Sequence, residues 1–123
     1  MLDTGCIWDG YFSDFDRNFA LGYASNEAIE AHERLIDATN AALQTIKPSF
    51  TTSKDIFNVI RDVLYPNKNL SSLKLDEVGR LGHGLGIQLT EPPSHTEWDE
   101  TLILPGMTLP IEPSIQYGEQ NYL

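Results

Sequence analysis

A single cysteine, Cys6, stands in 123 residues, so no disulfide can form within the chain. That usage fits a reducing, cytoplasmic setting. Basic residues are scarce: Lys and Arg total 8 against 18 Asp and Glu, a net charge of −10. Recognition of nucleic acid needs clustered positive charge, so that class of partner is excluded. No apolar run approaches ~18 residues, which argues against a membrane-spanning helix. The opening Met1–Gly5 stretch has neither a basic region nor an apolar core, so no secretory signal is expected. Internal repeats and low-complexity segments are also absent.

What is present is an ordinary globular composition, 41% hydrophobic. The length corresponds to about one domain, with roughly 65% of the unfolded surface buried on folding. Most of the acidic excess reads as solvated surface. A minority of the carboxylates remains available for a cation site.

Residues 1–22 combine Ile7, Trp8, Tyr11, Phe12, Phe15 and Phe19 with Gly5, Gly10 and Gly22. They read as two short strands around an Asp9-Gly10 turn. Residues 27–46 read as a helix. Ile29, Ile36 and Leu43 repeat with Ala28, Leu35 and Ala42 to make one apolar face. Ser25 or Asn26 caps its start, and Pro48 lies past its end. Residues 54–64 read as a second helix, with Ser53 as N-cap and Ile56, Ile60 and Val63 on one face. A loop with a helical turn near Leu75–Val78 is expected next. Residues 81–91 read as a strand through crowded space, with glycine at 82, 84 and 86, broken by Pro92-Pro93-Ser94. Residues 101–112 read as a hairpin around Pro105-Gly106, a type II turn signal. Strands on both sides of a helix pair give an α+β class, an antiparallel sheet with helices on one face.

Three places can carry chemistry. Asp3 and Asp14 are eleven residues apart, and a hairpin turning near Asp9 sets them opposite one another, with Cβ atoms about 5 Å apart. Facing carboxylates repel unless a cation lies between them. Asp9 itself suits a turn, and Asp16 and Arg17, being adjacent, point to opposite faces of a strand. His83 lies between Gly82 and Gly84, which leaves its imidazole unobstructed. Glu112 lies between Pro110-Ile111 and Pro113 at the end of an apolar strand, on a stiff backbone that preorganises a ligand. His32 reads as part of a solvated helix face, and His95 lies in a polar loop.

Together, in order and spacing, these segments resemble one family. Asp3-Thr4-Gly5…Gly10-Tyr11-Phe12-Ser13-Asp14-Phe15-Asp16-Arg17 is similar to the D-x-G…G-Y-x-S-D-x-T-R signature of the pita-bread metallopeptidases. That group includes Xaa-Pro aminopeptidase, prolidase and methionine aminopeptidase, with creatinase and ectoine hydrolase as relatives. Gly82-His83-Gly84-Leu85-Gly86 resembles its G-H-G-I-G segment. Leu104-Pro105-Gly106-Met107 followed by Ile111-Glu112-Pro113 resembles P-G-M…I-E-P, and Ile46-Lys47-Pro48 resembles I-K-P-G.

The resemblance implies a pita-bread fold and a site for two divalent ions (Mn²⁺, Co²⁺, Fe²⁺ or Zn²⁺), a choice consistent with oxygen donors plus one imidazole. It implies Asp3 as a terminal ligand, Asp14 as a bridging ligand, His83 as the histidine ligand, and Glu112 as a ligand that also handles the proton of the attacking water. His83 and Glu112 are thus the catalytic candidates. It also implies hydrolysis of a peptide bond by metal-activated water, and a homodimer for the full-length protein.

Two departures stand out. The family's fifth ligand is a glutamate beyond I-E-P, whereas Glu119 here lies in a polar Gly-Glu-Gln-Asn stretch. The chain is therefore expected to be a partial catalytic domain over 1–123, without an N-terminal domain, the opening helices or the last strands, and weakly active or inactive on its own. Secondly, the family's peptidases carry a histidine seven residues after the first, where this chain has Thr90. Thr90 and His95 are candidate substrate contacts. The change leaves room for an ectoine hydrolase-like or creatinase-like C–N hydrolase, and a non-catalytic binding protein is the rival class.

Overall fold

The computed structural model describes residues 1–66, 79–117 and 120–122. The turn expected near Leu75–Val78, and Glu119, lie outside the described residues.

The chain opens with a hairpin whose arms are each split in two. β1 (Leu2–Thr4) pairs with β4 (Phe15–Arg17), and β2 (Ile7–Trp8) pairs with β3 (Tyr11–Phe12). Asp9 and Gly10 form the two-residue turn, both with positive φ, 50° and 84°, the backbone sense that matches strand twist in a hairpin. The arms are interrupted where Ser13 crosses to Cys6. The Cys6 amide donates to Ser13 Oγ (3.0 Å), and the Ser13 amide donates to the Cys6 carbonyl (2.8 Å).

The turn position corrects one expectation. With Asp9 and Gly10 as the two central residues, Asp3 stands opposite Asp16, not Asp14. Asp14 falls two residues along from Asp16, one diagonal step from Asp3.

α1 (Asn26–Thr45) is capped by Ser25, whose Oγ accepts the Ala28 amide. Its buried face is Ala31, Leu35, Ala38 and Ala42, while Ile29, Ile36 and Leu43 are exposed. The larger apolar residues were expected to face the core. The alanines do so instead, because small side chains let α2 lie close against α1. α2 (Ser53–Leu64) is capped by Thr52 in a reciprocal capping box with Asp55. Ser53, the expected cap, is buried inside the first turn and bonds elsewhere. Ile56, Phe57, Ile60 and Leu64 of α2 complete a core with Leu81, Ile103 and Ile115.

The expected strand over 81–91 contracts to β5 (His83–Gly84), extended by bridges Gly82–Ile111 and Leu85–Thr108. Beyond Gly86 the chain turns, with the Gly86 amide donating to the Gln88 carbonyl (3.2 Å). Pro92-Pro93-Ser94 does not break the pairing. It belongs to β6 (Glu91–Ser94), which pairs antiparallel with β5 through His83–Ser94 and Gly84–Glu91. Both prolines fall in the irregularity between those pairs, where a missing N–H costs no ladder bond.

The Leu104–Met107 turn forms, with Gly106 at φ 89°, but its arms separate. Ile103 exchanges backbone bonds with Ser49 and Thr51, while Thr108 and Ile111 pair with the glycine segment. A Cβ on Gly82 would overlap the Pro110 carbonyl oxygen, so glycine is what lets the second arm come this close. β7 (Ile115–Tyr117) and β8 (Gln120–Tyr122) form the last antiparallel pair. The helix pair and these antiparallel pairings make the α+β architecture. No helix among the described residues is long and apolar enough to cross a membrane.

Candidate metal centre

Three segments distant in sequence meet at the glycine-rich strand. The Phe12 amide donates to the Gly86 carbonyl (2.8 Å), fastening the hairpin to it. On its other side the Glu112 amide donates to the Leu81 carbonyl (3.1 Å), which sets Glu112 beside His83.

Asp14, His83 and Glu112 offer ligand atoms within 4.8 Å of one another. His83 Nε2 lies 3.5 Å from Asp14 Oδ2 and 3.4 Å from Glu112 Oε1. Its Nδ1 is 2.8 Å from the Gly84 carbonyl. A carbonyl only accepts, so Nδ1 carries the proton that bonds it. In the neutral ring Nε2 is then a bare lone pair aimed at two carboxylates. That arrangement requires a positive centre, either a proton on Nε2 or a metal ion. At metal sites a ligating imidazole is usually oriented in this way, by a carbonyl or carboxylate that accepts from its other nitrogen. Two carboxylates and one imidazole on rigid backbone thus fit a divalent transition-metal ion.

The same residues line a cleft of about 240 Å³, joined there by Asp3, Asp16, Arg80 and Thr90. Glu112 is held above the ordinary carboxylate range, by burial first, with Asp14 and Asp16 adding to it and His83 and Arg80 opposing. Asp16 is also raised, by burial and then by the Asp3 and Asp14 charges.

Of the residues singled out from sequence, Asp14, His83 and Glu112 meet directly, and Asp3 and Thr90 line the same cleft. His95 does not. It is fully buried, with Nδ1 2.7 Å from Ser53 Oγ. Burial, then His83 nearby, lowers its pKa to about 4. It is a neutral core residue joining α2 to β6 and cannot reach a substrate. His32 is exposed on α1, as read.

Sequence reading passed over Asp16 and Arg80. The signal for Asp16 was its two-residue offset from Asp14, which returns a strand residue to the same face. No sequence signal marked Arg80, whose guanidinium is 3.4 Å from Thr90 Oγ1.

A pita-bread metal-site architecture defines a class, and comparison with known proteins agrees. The chain belongs to metallopeptidase family M24, whose family model matches residues 1–121. It is similar to a Xaa-Pro dipeptidase of Pyrococcus furiosus, 29% identical over 119 residues, 94% of this chain and 32% of the relative. The prolidase structure from Pyrococcus furiosus matches with a TM-score of 0.76 at 27% identity, covering 95% of this chain and 33% of that one. A dipeptidase structure from Mycobacterium ulcerans matches with a TM-score of 0.80 at 29% identity, covering 96% and 31%. The fold is that of the pita-bread peptidases in part, and the chain spans about a third of the length of these relatives.

Proposed function

We propose that the protein is a metal-dependent hydrolase acting on a peptide bond next to proline, with Asp3, Asp14, His83 and Glu112 as ligands of two divalent ions. The observation that carries this reading is the convergence of His83 Nε2 with the Asp14 and Glu112 carboxylates, 3.5 and 3.4 Å away. Manganese is the ion of first choice among Mn²⁺, Co²⁺, Fe²⁺ and Zn²⁺ for an oxygen-rich donor set. Divalent ions in the cleft would supply Lewis acidity that polarises a carbonyl and acidifies water.

The chain's own groups divide the remaining work. Glu112, its carboxyl raised by burial, is placed to take a proton from water and pass it to the leaving amine. The Gly84 carbonyl keeps His83 in one tautomer and one orientation. Arg80 and Thr90 stand at the cleft wall, where a substrate's carboxylate or carbonyl oxygen can accept from them. A cytoplasmic location and a homodimer of the full-length protein complete the proposal, supported by the lone cysteine and by the family respectively.

Thr90 favours a second reading. It occupies the place where the family's peptidases carry a histidine, and it lies in the cleft. A threonine hydroxyl suits a smaller C–N substrate of the ectoine or creatine type. The test is hydrolysis of an Xaa-Pro dipeptide and of a cyclic amidine by the chelator-treated chain resupplied with Mn²⁺. Weak turnover of the dipeptide, abolished in His83→Ala and Glu112→Ala, is expected of a partial catalytic domain. Turnover of the amidine alone would select the second reading. No binding of Mn²⁺ and no turnover of either would refute both.

A further inference from the structure

The hairpin brings to the cleft a carboxylate, Asp16, that the family signature does not place there. Asp16 is the direct cross-strand partner of Asp3, and both line the cleft beside Asp14, His83 and Glu112. Directly opposed side chains on an antiparallel pair have Cβ atoms about 5 Å apart, and like charges there are destabilising. The surroundings give Asp16 little relief. Its Oδ1 is closed off from water and has no hydrogen-bond partner. The adjacent Arg17 turns its guanidinium to the Asp16 backbone carbonyl (2.6 Å) and over the Phe15 ring. Arg80, the guanidinium at the cleft wall, is engaged at Thr90 Oγ1. A buried acceptor without a donor normally costs about 1–3 kcal/mol, and a fold keeps it where something else supplies the missing partner.

We propose that Asp16 is a metal ligand of this cleft, pairing across the hairpin with Asp3 to hold a second divalent ion beside the one at Asp14, His83 and Glu112. The proposal rests on the metal-site reading above and goes beyond it. Asp16 stands where the family signature has threonine, a neutral side chain. This chain therefore presents four carboxylates and one imidazole from the described residues alone. Register puts Asp3 and Asp16 on one face, and the two-residue offset puts Asp14 on that face as well.

A bystander carboxylate predicts something different. Replacing a repelled, unpaired Asp16 by the isosteric asparagine removes repulsion in either case, so the metal-free protein should melt at the same or a higher temperature. Loss of a nearby charge alone weakens ion binding without changing its stoichiometry, whereas loss of a ligand removes the second ion and its coupled signal. The full chain is stripped with chelator and titrated with MnCl₂ by calorimetry, with electron paramagnetic resonance to detect spin-coupled pairs and circular dichroism to confirm folding. The wild type is expected to bind two Mn²⁺ with a coupled signal. Asp16→Asn is expected to bind one, or to hold the second at least tenfold more weakly, without the coupled signal and with a smaller rise in Tm on Mn²⁺ addition. Asp16→Ser, measured alongside, is expected to behave like Asp16→Asn and provides a second route should that variant fold poorly.

Wild-type stoichiometry, affinity and coupling in either folded variant would overturn the proposal and leave the metal-site reading standing. A wild type that binds one ion, still lost in His83→Ala, would overturn the proposal together with the second ion of the metal-site reading, and would leave the ion at Asp14, His83 and Glu112. A wild type that binds none would overturn both.

Discussion

Alanine at Gly84 and alanine at Gly86 should have very different consequences, although the two glycines are two residues apart in one segment. A Cβ on Gly84 would overlap the Pro92 carbonyl oxygen and lie 2.8 Å from the Glu91 carbonyl oxygen. Both obstacles are backbone of β6, and Gly84–Glu91 is one of only two pairs that join β6 to β5. Relief requires β6 to withdraw by about 1 Å, given that carbon contacts are comfortable near 3.5 Å. Overpacking of this kind costs about 1–3 kcal/mol. A Cβ on Gly86 instead meets the Glu91 carboxylate at 2.9–3.2 Å. That is the end of a flexible side chain, and rotating it away forfeits the bond from the Gln88 amide to Oε1, about 1 kcal/mol or less at an exposed site. The Gly84 carbonyl also fixes His83 Nδ1, so Gly84→Ala should weaken Mn²⁺ binding as well as stability, while Gly86→Ala should leave binding near wild type. Urea unfolding in chelator, followed by Mn²⁺ calorimetry on the refolded variants, measures both. Equal loss of stability in the two variants, or unchanged metal affinity in Gly84→Ala, would refute the reasoning.

Other outcomes follow from the core and the caps. His95 has a folded-state pKa of about 4 against an ordinary 6.5, so the unfolded chain takes up the proton first. Its contribution is complete above pH 6.5 and declines as pH falls toward 4, by about 3 kcal/mol in total. Unfolding midpoints from pH 7.5 to 4 should show that slope, and it should flatten in His95→Gln. Thr52→Ala should cost about 1 kcal/mol through loss of the α2 capping box. Asp55, its reciprocal partner, is held below the usual carboxylate value by bonds from Thr52. Its share of stability is therefore present above the unfolded value of 3.8 and lost as acid protonates it. On α1, Leu35→Ala should cost about 2–5 kcal/mol, whereas Ile36→Gln should change stability by less than about 0.5 kcal/mol. Chemical denaturation of the pair checks which face is inside.

The α1 result shows where sequence patterning reaches its limit. Heptad spacing identified the helix and Leu35 and Ala42 on its buried side, yet size misled about Ile29, Ile36 and Leu43. Periodicity reports that two stripes are apolar. Which stripe faces α2 depends on how closely the axes approach, and alanine permits the closer approach. The hairpin shows a finer limit. Asp9-Gly10 was legible as a turn, but a pairing centred one residue away changes every cross-strand partner by two. Asp3 was matched with Asp14 when its true opposite is Asp16. His83 and Glu112 were legible because glycine and proline neighbours mark constrained backbone. Their contact through Gly82–Ile111 is a long-range pairing that no local pattern encodes. His95 was misplaced for the converse reason: its neighbours are polar, but its partner is Ser53, forty-two residues earlier.

The charge arrangement ties these observations to the chemistry. Asp3, Asp14, Asp16 and Glu112 border one cleft of about 240 Å³, with Arg80 as the guanidinium on its wall. A soluble surface disperses like charges, and a core neutralises them. Here the backbone does neither. The Asp9-Gly10 turn fixes Asp3 against Asp16, the close approach permitted by Gly82 sets Glu112 beside His83, and the Phe12–Gly86 backbone bond brings the hairpin carrying Asp14 to the same strand. Each of these devices raises the electrostatic cost of the empty cleft, and each is backbone geometry that side-chain motion cannot undo. A divalent cation bound there would offset that cost, and by linkage would stabilise the fold by RT ln(1 + [ion]/Kd), about 2.7 kcal/mol at a hundredfold excess over Kd. The same confinement that makes the empty cleft unfavourable preorganises its donors for the ion, which is the condition a hydrolytic metal centre requires.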